Sequence, residues 1–150
     1  MFRRFAVAMR SLPIILALAL ILNGVASAQS NSSQQGAESD VARGKYLVES
    51  VAMCGQCHTP HDSNGNPDRS RWLQGGPVPY QSSTPNSDWP QMVPRIGGTP
   101  PAPDPDMVKL LATGIWTNGA RLRSPMPQFR MTVGDAQAVV AYLKSLTPKP

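Results

Sequence analysis

Cys54-Gly55-Gln56-Cys57-His58 constrains this chain more than any other stretch of it. Two thiols three residues apart on one turn can reach two vinyl groups along one edge of a large planar ring. The next residue then projects an imidazole over the ring's centre. That spacing is the attachment signature of c-type haem, in which the thiols become thioethers and the imidazole binds the iron. A chain built this way has to fold around a large apolar disc. Its 16 prolines restrict regular structure, and only 3 phenylalanines in the whole sequence allow a modest core at most, so an internal cofactor suits the composition.

Other uses of the motif fit less well. A zinc site needs four ligands, and only Cys54, Cys57, His58 and His61 are on offer, two of them adjacent in sequence. A thioredoxin-like redox pair needs a βαβ frame, and no such pattern is present. A plain disulfide leaves His58 unexplained.

The N-terminus reads as an export leader. Arg3, Arg4 and Arg10 precede an apolar run at Leu12–Leu22, broken only by Pro13, and Ala26-Ser27-Ala28 gives a small-residue cleavage site. Eleven residues fall short of the ~20 that span hydrocarbon, so no membrane span is expected after cleavage near Ala28. Removing those three arginines from 14 basic residues leaves 11 against 9 acids, a net charge of +2 instead of +5. No basic run survives export, which argues against nucleic acid as a partner. The expected organisation is a leader over 1–28, a flexible polar tail over 29–39 and one domain over 40–148.

Within that domain, apolar spacing predicts a helix over Asp40–Met53, with Asp40 as its N-cap, leading into Cys54. Thr59–Pro103 is rich in Pro, Gly, Ser and Asn and has no useful period; wrapping a cofactor is one reason to keep so long a loop. Asp104-Pro105 marks a helix start and Gly114 its end, and Asn118-Gly119 marks a tight turn. Ser124-Pro125-Met126-Pro127 is expected to be extended. A last helix starts at Thr132, in a capping box with Asp135, and is ended by Pro148. No strand pattern is visible, so the fold class is all-α: three main helices with long loops.

Haem iron bound by His58 has a sixth position. His61 lies three residues from His58 on the same short segment and cannot cross to the other face. Met126, clamped between Pro125 and Pro127, loses little entropy on binding and is the leading candidate. Met131 and an open five-coordinate iron are the alternatives. Met107 is read as core, and Met53 is too close to the attachment site.

With these pieces in place the chain resembles a class I (mitochondrial-type) cytochrome c of the bacterial periplasm. The likeness is carried by Arg43-Gly44-Lys45-Tyr46-Leu47, Cys54–Pro60, Pro94-Arg95-Ile96-Gly97-Gly98, Leu111–Ile115, Pro125–Phe129 and Ala141-Tyr142-Leu143. Through His61-Asp62 and Arg71–Gly76 it is similar to cytochrome modules of alcohol and aldehyde dehydrogenases, which usually come in threes where one is present here. The resemblance implies the cytochrome c fold around one covalent haem c, with the first and last helices crossing at Gly44. It implies that the Pro94 carbonyl accepts the His58 N–H, and it makes Trp72, Trp89, Arg95, Trp116 and Arg123 candidates for haem propionate contacts. It also implies a periplasmic one-electron carrier with His/Met ligation and not an enzyme. Its expected partners are a periplasmic dehydrogenase, with a place as that enzyme's dedicated subunit as one option, or a respiratory oxidase or reductase.

Overall fold

The computed structural model describes residues 36–84 and 88–147; the leader expected over 1–28 and Pro148 lie outside them. Residues 36–46 form helix α1, which widens into a π-helical turn at Leu47–Val51. The helix is already running four residues ahead of Asp40. A cap preference of about 1 kcal/mol does not stop a helix that can extend upstream. After Ala52 donates back to the Leu47 carbonyl at 2.7 Å, Met53 turns left-handed (φ 49°) and redirects the chain into the short helix α2, Gly55–His58.

Helix α3 spans Asp104–Thr113 and helix α4 spans Val133–Ser145. The cap of α3 is Pro103, one residue before the expected Asp104. Gly114 ends α3 in the left-handed region (φ 71°), which glycine adopts without a Cβ penalty, and donates to the Leu110 carbonyl at 2.7 Å. Thr132 caps α4 by accepting the Asp135 N–H at 3.1 Å. Met107, Leu110 and Leu111 of α3 face Ala136, Val139, Val140 and Leu143 of α4, and Leu47 and Val48 of α1 close the same core. Each fully buried aliphatic side chain contributes roughly 1.5–3 kcal/mol. Where α1 crosses α4, a Cβ on Gly44 would overlap the Ala138 carbonyl, so only glycine lets the helices meet that closely.

The long loop between α2 and α3 is organised by hydrogen bonds instead of by regular structure. It holds a 3₁₀ turn at Arg69–Arg71 and one antiparallel pair, β1 (Gly76–Pro77) with β2 (Met92–Val93). Two residues per strand are too few to show an alternating pattern, which is why the sequence reads as strand-free. The hub is Leu73, fully buried with φ 58°. Its N–H donates to the buried Thr59 hydroxyl at 3.0 Å, and its carbonyl accepts the N–H groups of Ile96 and Gly97, each at 3.0 Å. Gly75 donates to the His58 carbonyl at 2.8 Å, and a Cβ there would meet the backbone of Pro94 at 2.8 Å. These bonds bring the Pro94 segment against the end of α2. Among the described residues no helix is long and apolar enough to cross a membrane.

Candidate functional site

A cavity of about 840 Å³ lies within this frame, inside the range of roughly 300–1,000 Å³ usual for cofactor pockets. Its lining is mainly apolar. The attachment segment contributes Cys54, Cys57 and His58; α3 contributes Met107, Leu110 and Leu111; α4 contributes Val139 and Leu143; the loop between them contributes Met126 and Phe129. Pro94 and Ile96 come from the segment tied to Leu73.

The donor chemistry fits haem. Both cysteines are free thiols on the lining. Burial pushes the Cys54 thiol up to about 11 and raises Cys57 as well. His58 is 6% exposed, and its Nδ1 sits 2.9 Å from the Pro94 carbonyl oxygen. A carbonyl only accepts, so Nδ1 carries the proton and Nε2 keeps its lone pair. Burial lowers the imidazole pKa, against the smaller opposing effect of the Pro94 bond, and the ring is held neutral, the form that ligates metal.

Met126 does not sit in an extended run as the flanking prolines suggested. Its N–H donates to the Arg123 carbonyl at 3.1 Å and closes a turn, a conformation that proline accommodates as readily. The loop carrying it is fixed on both sides to α3: Leu122 donates to the Gly114 carbonyl at 3.1 Å, and Met131 to the Leu111 carbonyl at 3.2 Å. Met131 packs against the core and is not on the cavity wall, and neither is His61, which bridges to Pro67 in the loop. Met107 is both core and lining, 4% exposed. His58 and Met126 are positioned as the two axial ligands of a haem. Among the described residues no three His, Cys, Asp or Glu side chains converge on a metal site.

The candidate propionate contacts separate. Trp116 and Arg123 line the cavity; Trp72, Trp89 and Arg95 do not. Trp72 instead covers Gly55, where any Cβ would overlap its ring, and is itself covered by the Arg69 guanidinium at 4.0 Å. Its Nε1 approaches the Tyr142 hydroxyl without reaching hydrogen-bond geometry. Trp89 donates its Nε1–H to the Tyr80 carbonyl at 2.9 Å. Arg121 and Tyr80 also line the cavity, and sequence reasoning passed over both. The only signal for Arg121 was its place two residues before Arg123 in a segment leading to Met126.

Against known proteins, residues 41–147 match the family described as Cytochrome c. The chain is 37% identical over 107 residues to a diheme cytochrome c-type protein of Cereibacter sphaeroides, covering 68% of this chain and 34% of that one. It is 32% identical over 121 residues to the fructose dehydrogenase cytochrome subunit of Gluconobacter japonicus, covering 73% of this chain and 23% of that one. The chain thus spans about a third and about a quarter of the lengths of these relatives.

Proposed function

This chain belongs to the cytochrome c family, and we propose that it carries single electrons in the periplasm from a dehydrogenase to a respiratory partner. It is an electron carrier with one CxxCH motif for one covalent haem c, and bacterial c-type cytochromes work outside the cytoplasm. The periplasmic placement rests on the leader pattern through Ala28, followed by a short polar tail and a haem domain over 40–148.

One observation carries the reading: a single apolar cavity is lined by Cys54, Cys57 and His58 and also by Met126. The bound haem supplies a ferric–ferrous couple. Cys54 and Cys57 would hold the ring covalently, His58, oriented by the Pro94 carbonyl, would ligate the iron through Nε2, and Met126 would supply the second protein ligand. Held by two protein ligands, the iron would have no open site for a substrate. Thioether ligation and an apolar wall both favour the ferrous state and raise the potential.

Optical spectroscopy of the purified holoprotein tests this. The oxidised form should show the near-infrared methionine-to-ferric charge-transfer band, and the reduced form should not bind carbon monoxide tightly. Tight carbon monoxide binding with no such band would replace the carrier by an open-iron protein. Met126→Ala should abolish the band and lower the potential markedly; an unchanged spectrum would move the ligand to Met131.

A narrower reading makes the chain a dedicated cytochrome partner of one dehydrogenase, and the likeness to the fructose dehydrogenase subunit favours it. Stable copurification with a quinoprotein or flavoprotein would support it. Equal reduction by several unrelated donors would count against it.

A further inference from the structure

Gly55 lies between the two attachment cysteines, as the first residue of α2, and it is buried. Its backbone is not among the left-handed ones, so the turn itself does not call for glycine there. Alanine is the better helix residue, and what excludes it is a neighbour: a Cβ at position 55 would overlap Cη2, Cζ3 and Cζ2 of the Trp72 ring. The indole therefore presses on the backbone of the turn that bears both thiols and the imidazole. Trp72 is not on the cavity wall, so it meets that turn from outside the cavity. It stays there although its buried Nε1–H has no hydrogen-bond partner among the described residues, which is costly in itself.

We propose that Trp72 is a positioning residue for the iron ligand: its ring fixes the tilt of α2, and through that tilt the plane of the His58 imidazole. The proposal rests on the haem reading above and adds what holds the ligand's backbone. Helix α2 has only four residues, Gly55–His58, too few to keep a direction of its own. The Pro94 carbonyl fixes the ring end of His58 at 2.9 Å, and the other end needs a support. Both flanks of Trp72 are tied to the residues at and after His58. Upstream, Asp68 donates its N–H to the Pro60 carbonyl at 2.8 Å. The Asp68 carboxylate also secures the Arg69–Arg71 turn, accepting from the Ser70 N–H at 2.9 Å and from Arg71 Nε at 2.8 Å. Downstream, Leu73 donates to the Thr59 hydroxyl at 3.0 Å and Gly75 to the His58 carbonyl at 2.8 Å. The Arg69 guanidinium covers the indole at 4.0 Å from its centroid. A ring anchored on both flanks and backed by a guanidinium sets where Gly55 can lie.

The expected signature separates positioning from space-filling. The plane of an axial imidazole sets how the unpaired electron of ferric haem spreads over the macrocycle. The haem methyl resonances of the oxidised protein therefore report the orientation of His58. A side chain that only fills space changes stability and leaves that pattern alone. One that positions the ligand changes the pattern and also the potential, since ligand orientation and solvent access both tune the iron.

The test is the proton NMR spectrum of the oxidised holoprotein together with its midpoint potential. The proteins compared are wild type, Trp72→Phe, Trp72→Leu, Trp72→Ala and Gly55→Ala, the last alone and combined with Trp72→Ala. Trp72→Phe keeps an aromatic ring on the turn and should keep the wild-type methyl pattern. Trp72→Leu and Trp72→Ala should shift the methyl resonances and lower the potential. Gly55→Ala should shift the resonances too, yet add little in the Trp72→Ala background, where its methyl has room. Val140→Ala, in the α3–α4 core and off the cavity wall, should lower the denaturation midpoint and leave both readouts unchanged. A wild-type pattern and potential in Trp72→Leu would overturn the assignment, and so would equal shifts in Trp72→Phe and Trp72→Leu. Effects of Gly55→Ala and Trp72→Ala that simply add would also overturn it; if Trp72→Ala yields no holoprotein, the phenylalanine and leucine variants decide. A wild-type protein lacking the methionine-to-ferric band would sink the axial reading instead, so the two failures are distinguishable.

Discussion

Thr59 shows how a single hydroxyl reaches the metal ligand without touching it. It is fully buried, and it accepts the N–H of Leu73, whose carbonyl in turn holds Ile96 and Gly97 beside Pro94. Thr59→Val keeps the shape and removes the acceptor, leaving a buried N–H unpaired. The fold should lose about 1–3 kcal/mol in a guanidinium melt of the holoprotein, while Thr59→Ser loses less. Cys54, Cys57 and His58 were legible because covalent attachment dictates residue type and spacing together. Pro94 was legible only through resemblance. The Thr59–Leu73 bond was not legible at all, since it depends on a left-handed leucine (φ 58°), and nothing in a leucine's chemistry announces that backbone.

At the scale of elements, two glycines in helices should respond to alanine with opposite sign. Gly44→Ala drives a methyl into the Ala138 carbonyl at the α1–α4 crossing and should cost about 1–3 kcal/mol or more, read as a fall in the denaturation midpoint. Gly134 in α4 has open space around its would-be Cβ, so Gly134→Ala should stabilise by up to about 1 kcal/mol through its helix preference. The ends of α3 and α4 were readable from Gly114 and Thr132 because cap chemistry is local. The early start of α1 was not, because a cap preference is too weak to stop the helix, and neither were its π-helical turn and the β1–β2 pair, which are settled by packing against distant segments. The turn at Met126 was misread for a related reason: proline limits its neighbour to a region that strands and turns share.

For the whole molecule, the crossing of first and last helices is tied by a polar chain. The Tyr142 hydroxyl donates to Glu49 Oε1 at 2.6 Å, and Lys45 meets the same oxygen at 2.6 Å. Burial first, and then the bond to Glu49, push the phenol up from 10.0 to about 12. A raised folded pKa means that this contribution is fully present below pH 10.0 and is lost as pH climbs through about 12. Denaturation midpoints should therefore fall across that window in wild type and fall less in Tyr142→Phe. Glu49 acts at the other end. Burial raises its pKa, but the Lys45 and Tyr142 bonds outweigh it and hold the carboxyl below 4.5, so its contribution is present above that value and lost on further acidification. The all-α class, the cavity's cofactor and the carrier role follow from a few motifs, whereas the helix-crossing network links residues 93 apart and leaves no local trace.

The bonds on either side of Met126, from Leu122 to Gly114 and from Met131 to Leu111, bear on speed as well as on stability. Every transfer changes the charge at the metal, and the metal–ligand distances would drift if the ligands were free to follow. Here one ligand hangs from a loop stitched twice to α3, and the other is steered by a carbonyl braced through Leu73. Ligands held in this way would limit atomic rearrangement when the charge at the iron changes, and so keep low the barrier that rearrangement sets. A matrix braced like this would have its dipoles arranged before the electron arrives.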